Sequence, residues 1–135
     1  MKRMLVLVAV LMGLVLMGVN FPAKAADDPK APYVHCVIFY LKKDAPKDEG
    51  KALVADAHEL LAKIPSVRLL KIGPPAAKST EKLAATDYQI GLMVLFDNYD
   101  GLKTYLDHDL HLKYVDKHMK HIDKVLVYDF ENAKK

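Results

Sequence analysis

The 135-residue chain contains one cysteine, Cys36, and no tryptophan. A lone thiol closes no disulfide within the chain, so sulfur bridges do not staple this fold. Cys36 stands among strand-forming residues and reads as a small buried apolar side chain rather than a reactive thiol. Glycine-rich phosphate loops are missing too: the six glycines stand apart from one another. No motif asks for haem, flavin or nicotinamide, and no cofactor is expected. Internal repeats and low-complexity segments are also absent.

Charge of one sign is scarce once its location is considered. The formal net charge is +3, from 20 basic and 17 acidic side chains, and Lys2, Arg3 and Lys24 carry the excess. These residues flank the one long apolar run, Met4 to Val19, whose sixteen residues fall short of the roughly twenty that span a bilayer. Ala23-Lys24-Ala25 follows with the small-x-small pattern of a signal-peptidase site. Residues 1–25 therefore read as a cleaved signal peptide rather than an anchor, and the protein is expected to be secreted or periplasmic, with no membrane association after cleavage. The remaining 110 residues hold 17 basic and 17 acidic side chains. That balance argues against a nucleic-acid partner, which needs clustered cations to neutralise phosphates. The length suffices for one hydrophobic core.

Residues 26–32 are polar, carry two prolines and read as a flexible leader. YVHCVIFYL (33–41) is β-branched and aromatic, and apolar on both alternating faces except at His35. Asp44 is expected to cap a helix beginning near Pro46, with Leu53, Ala57, Leu60, Leu61 and Ile64 on one stripe and Pro65 ending it. Strands are predicted over 67–73 and 88–96, the latter with Gly91 marking a bulge or a close approach. Asn98 caps a helix through YDGLKTYL, a further helical run covers 110–123, and a last strand spans 124–131 ahead of a tail, 132–135. One domain thus occupies 33–131. The order is that of an α+β, ferredoxin-like fold: an antiparallel four-stranded sheet with helices on one face. Because strands 33–41 and 88–96 are apolar in both parities, the other face also needs cover. A second copy supplies it, giving a homodimer with a barrel-like interior, a dimeric α/β barrel.

The stretch YLDHDLHLKYVDKHMKH (105–121) holds four of the six histidines. Its spacing matches no zinc pattern, and Lys113, Lys117 and Lys120 oppose a bound cation, so no metal ligands are assigned; a histidine-rich metal-binding protein stands as an alternative. His118 and His121 read as a solvated face, and His108 as support for a turn. Tyr105 and His111 flank the break between two helical runs, where side chains can turn into a cavity. His35 either bonds a backbone group in the core or points to the open sheet face with Val37 and Phe39, beside that same cavity. In the second case His111 is the candidate general base, Tyr105 the donor to an oxyanion and His35 the group that orients a substrate. Val37, Phe39, His108 and Tyr88 are the candidate ligand-binding residues.

Four segments carry a family resemblance: HCVIFYLK, IPSVRLLKIG, DYQIGLMVLFDNYDGLKTYLDHDLH and VLVYDF, together spanning about 33–131. They resemble the stress-responsive dimeric A/B barrel (Dabb) domain, most specifically in the strand histidine, His35, and in Y-x-x-H-x-x-H, here Tyr105, His108 and His111. Members usually carry proline after the first of those two histidines, where this chain has Asp109. The resemblance implies a dimeric α+β barrel in a family linked to stress responses, most of whose members have no assigned reaction. It extends distantly to a plant polyketide cyclase of the olivetolic acid cyclase type, which uses no cofactor. Its general-base histidine and supporting tyrosine match His111 and Tyr105, and its strand histidine matches His35. A further pocket histidine of that cyclase falls at Ile90 or a neighbour and is missing here. The expected function is an exported Dabb protein binding a small hydrophobic or aromatic molecule in a barrel pocket. The enzymatic alternative is a cofactor-independent cyclase- or lyase-like activity.

Overall fold

The computed structural model describes residues 31–78 and 81–133. The signal-peptide assignment at 1–25, residues 26–30 of the leader and the last two residues of the tail lie outside the described residues. The elements run β1 (Tyr33–Leu41), α1 (Glu49–Glu59), β2 (Leu69–Gly73), β3 (Ile90–Phe96), α2 (Tyr99–Leu106), α3 (Asp109–His118) and β4 (Ile122–Glu131). Short 3-10 turns at Leu61–Lys63 and Met119–His121 lead into the connection to β2 and into β4. The strands form one antiparallel sheet in the order β2-β3-β1-β4, the ferredoxin-like arrangement. Among the described residues no helix is long and apolar enough to cross a membrane.

Local chemistry sets the boundaries. Two turns precede α1, one closed by Ala45 N–H to the Lys42 carbonyl and one by Glu49 N–H to the Pro46 carbonyl. Asp44 therefore lies in a turn rather than at the cap, and the helix begins at Glu49. Of the apolar stripe, Leu53, Ala57, Leu61 and Ile64 are buried, while Leu60 is only partly buried against them. Asn98 caps α2 as its residue type suggests, its side chain accepting the Gly101 N–H at 3.0 Å. β2 starts at Leu69 rather than 67, because Val67 N–H closes a turn onto the Ile64 carbonyl.

Register sorts the side chains. On β1 the odd-numbered residues, His35, Val37 and Phe39, pair with Val94, Leu92 and Ile90 of β3. These bury with Leu53, Ala57, Leu102 and Tyr105 beneath the helices. His35, Val37 and Phe39 do share a face, but it is the helix-covered one and not the open one. Both parities of β1 are apolar, so only the helices decide which side they cover. The open face carries Ile38, Met93, Leu95 and Leu126, with Tyr128 and Phe130 more than half exposed on β4. Gly91 marks a close approach rather than a bulge: a Cβ there would lie 3.5 Å from the Tyr88 ring. The β1–β4 register shifts between Tyr40 and Leu41.

Candidate functional site

A cavity of about 260 Å³ lies between the sheet and the α2–α3 pair, with His35, Val37 and Phe39 in one wall and Tyr105 and His111 in its roof. The junction of the two helices aims the roof residues. His108 is extended, at φ −74° and ψ 139°, and its Nδ1 accepts the Leu110 N–H at 3.1 Å, capping α3. Asp109 in the first turn suits the positive end of the helix dipole. The imidazole cap thus starts α3 with Asp109, not a proline, as its first residue. Tyr105 in the last turn of α2 and His111 in the first turn of α3 then converge, with ring centroids 4.6 Å apart.

Tyr105 is 1% exposed. It packs on Phe96 at 5.2 Å between centroids and stands 6.0 Å from His35. Burial raises its phenol pKa well above the ordinary value, so it stays a hydroxyl donor at neutral pH. His111 Nδ1 lies 3.0 Å from the Leu106 carbonyl, which can only accept; Nδ1 therefore carries the proton and Nε2 keeps its lone pair. Burial holds the His111 pKa below the usual imidazole value, with the Leu106 carbonyl opposing and His35 adding to the depression. Neutral His111 is thus the resting form. His35 Nδ1 lies 2.7 Å from Asp129 Oδ1, its cross-strand partner on β4, which likewise leaves Nε2 as the free ring nitrogen. The bond goes to a side chain, not to the backbone group that a core histidine would use.

The sequence from residue 34 to residue 132 matches the family model of the Stress responsive A/B Barrel Domain, Dabb. The chain belongs to the Dabb family. Among curated proteins none matches it. Solved structures share its fold. A dimeric ferredoxin-like protein of unknown function from Thermobifida fusca superposes with a TM-score of 0.64 at 20% identity, over 75% of this chain and 91% of that one. A Dabb family protein with a ferredoxin-like fold from Mesorhizobium loti gives 0.62 at 24% identity, over 77% and 99%. The hydroxynitrile lyase of Passiflora edulis gives 0.65 at 15% identity, over 79% and 98%.

Within this Dabb domain the candidate residues divide. His35, Val37, Phe39, Tyr105 and His111 meet at the cavity. His108 does not line it and serves as the α3 cap. Tyr88 lies against Gly91 and Ile38 on the open side of the sheet, remote from the cavity, because it precedes β3 and folds back over the glycine.

His118 departs furthest from expectation. It is 2% exposed rather than solvated, with Nδ1 2.6 Å from Glu49 Oε1 and Nε2 2.8 Å from Asp56 Oδ2. Each ring nitrogen thus faces a carboxylate, and the ring bridges two acids that both belong to α1. The reason is helical spacing: Tyr114 and His118 lie four apart on the inward face of α3, while Glu49 and Asp56 lie seven apart on α1. Lys117 Nζ reaches the same Asp56 oxygen at 2.6 Å. Hydrogen bonding from Lys117 and then from His118 lowers the Asp56 pKa, against the opposing effect of burial. His121 is partly exposed, with Nε2 3.9 Å from Glu49 Oε2. The histidines of 105–121 thus serve different partners, and among the described residues no three His, Cys, Asp or Glu side chains are grouped to hold a metal ion. Sequence reasoning also missed Asp129, an acid at the same parity as Val125 and Val127 on β4.

Proposed function

We propose that the protein works as a homodimer, exported from the cytoplasm, whose protomers each bind a small uncharged hydrophobic or aromatic molecule and move a proton on it, as a cofactor-independent lyase or cyclase does. One observation carries the reading: His35, Tyr105 and His111, three side chains able to exchange or donate protons, meet at a single apolar cavity. Two imidazoles anchored through Nδ1 leave two Nε2 atoms, and a neutral phenol supplies a hydrogen-bond donor for a developing oxyanion. Apolar walls of Val37, Phe39 and Leu92 suit an uncharged ligand. The fold shared with the Passiflora edulis hydroxynitrile lyase supports the lyase side of this proposal.

The dimer rests on the open face, where Tyr128 and Phe130 stand exposed beside Ile38, Met93 and Leu95. A patch of this kind marks an interaction surface, and the Thermobifida fusca neighbour is described as dimeric. Export rests on residues 1–25, and residence outside the cytosol follows from it.

The test needs no natural substrate. A nitrobenzisoxazole is a neutral bicyclic aromatic that opens when a base removes its ring C–H proton: the N–O bond breaks and a coloured cyanonitrophenolate forms. Wild-type protein is expected to turn it over with saturation, and Tyr105→Phe to lower kcat/KM by about tenfold or more through loss of the donor. Saturable binding with no turnover above that of free imidazole reduces the protein to a carrier and refutes the enzymatic reading.

A further inference from the structure

The proton-transfer reading leaves open which imidazole takes the proton, and the surroundings of the two rings differ in a way that decides it. His111 is anchored to a neutral carbonyl, that of Leu106. His111 is only partly buried, but among the described residues no carboxylate is bonded to it, so a proton gained there adds an unpaired charge beside a second imidazole. His35 is anchored to a carboxylate at 2.7 Å. A proton gained at its Nε2 converts a hydrogen bond into an ion pair and adds no uncompensated charge.

We propose that His35 and Asp129 form an acid–base dyad, with His35 Nε2 the atom that accepts the substrate proton and Asp129 the residue that positions and electrostatically supports the ring. The inference rests on the proton-transfer reading above and reassigns the base from His111, the residue that the family resemblance points to. The groups that face His35 are Asp129 from β4, Tyr105 from α2 and His111 from α3. Among these, Asp129 alone can carry a negative charge at neutral pH. Its position is built into the sheet, because His35 and Asp129 are directly opposed in the β1–β4 ladder. Its side chain is 36% exposed, so it joins a buried ring to solvent at the sheet's edge. In the step itself the C–H bond of the substrate breaks and its electron pair moves into the substrate. The proton bonds to His35 Nε2, the Tyr105 hydroxyl holds the oxygen that gains charge, and the proton returns to product or water.

Three variants and one spectrum test the dyad, with a nitrobenzisoxazole as the probe on the full domain. His35→Gln and Asp129→Asn are each expected to lower kcat/KM by about a hundredfold or more, and Asp129→Asn to displace the acid limb of the pH–rate profile, while thermal midpoints show both variants folded. In the ¹⁵N spectrum of the wild-type histidines, His35 is expected as the Nδ1–H tautomer, with that preference lost in Asp129→Asn. The dyad is overturned by Asp129→Asn with wild-type kcat/KM and acid limb while His111→Gln abolishes turnover, or by a His35 ring protonated at Nε2 when neutral. Failure of the wild type to turn over or bind the probe strikes instead at the proton-transfer reading itself.

Discussion

Replacing His118 by leucine removes the side chain that bridges two carboxylates between α1 and α3, and the structure sets the size of the effect. Glu49 has a side chain only 7% exposed, and its Oε1 hydrogen bond to His118 Nδ1 at 2.6 Å is the one that matches its burial. Asp56 is more accessible and keeps Lys117 Nζ at 2.6 Å, so it contributes less to the loss. Breaking a buried pair from one side typically costs about 3–5 kcal/mol, because a charge stays behind in low dielectric. A domain of this size has about 5–15 kcal/mol in total, so a loss of about 3–5 kcal/mol makes His118→Leu remove roughly a fifth or more of its stability. Urea unfolding followed by circular dichroism measures this as a fall in midpoint at constant m-value. A second change separates charge from packing. In Glu49→Met/His118→Leu both members of the pair are gone and Asp56 still has Lys117, so most of the lost stability should return. A cost below about 1 kcal/mol for His118→Leu, or a double variant worse than the sum of the singles, refutes the buried pair.

Asp56 gives the same cluster a signature in pH. Its pKa is lowered in the folded state, so its contribution is fully present above the ordinary carboxylate value of about 3.9 and is lost as pH falls through the lower folded value. Asp56→Asn should flatten that part of the stability-versus-pH curve, measurable by thermal unfolding at a series of acid pH values. On the open sheet face, Tyr128→Lys with Phe130→Glu should shift a dimer to monomer in sedimentation equilibrium at micromolar concentration, since both side chains present more than half their surface. A wild-type protein that sediments as a monomer refutes the dimer directly.

The sequence made the elements readable where one residue type carries a local instruction. β1 spans the predicted 33–41, Asn98 caps α2, and the stripe from Leu53 to Ile64 buries as its period requires. Asp44 misled because a cap residue next to a proline fits a turn as well as a helix start. The site was half legible. Period two puts His35, Val37 and Phe39 together, and the break at His108 brings Tyr105 and His111 to one place. The side of the sheet could not be read, because β1 is apolar in both parities. The partners of His118 and His35 were beyond local reasoning: Glu49 and Asp56 are 69 and 62 residues away, and Asp129 is 94 residues from His35. Only strand register and helix packing bring such pairs into contact. A histidine four residues from an inward tyrosine was the available sign that His118 faces the core.

β1 is clasped on both edges, by β3 on one side and β4 on the other. The backbone at His35 can change faces only if a ladder tears, since slipping by a single residue would swap Val34 or Cys36 into its place. The wall of the pocket is therefore as durable as the sheet. Across the cavity, Tyr105 and His111 meet instead at a helix junction closed by one imidazole cap.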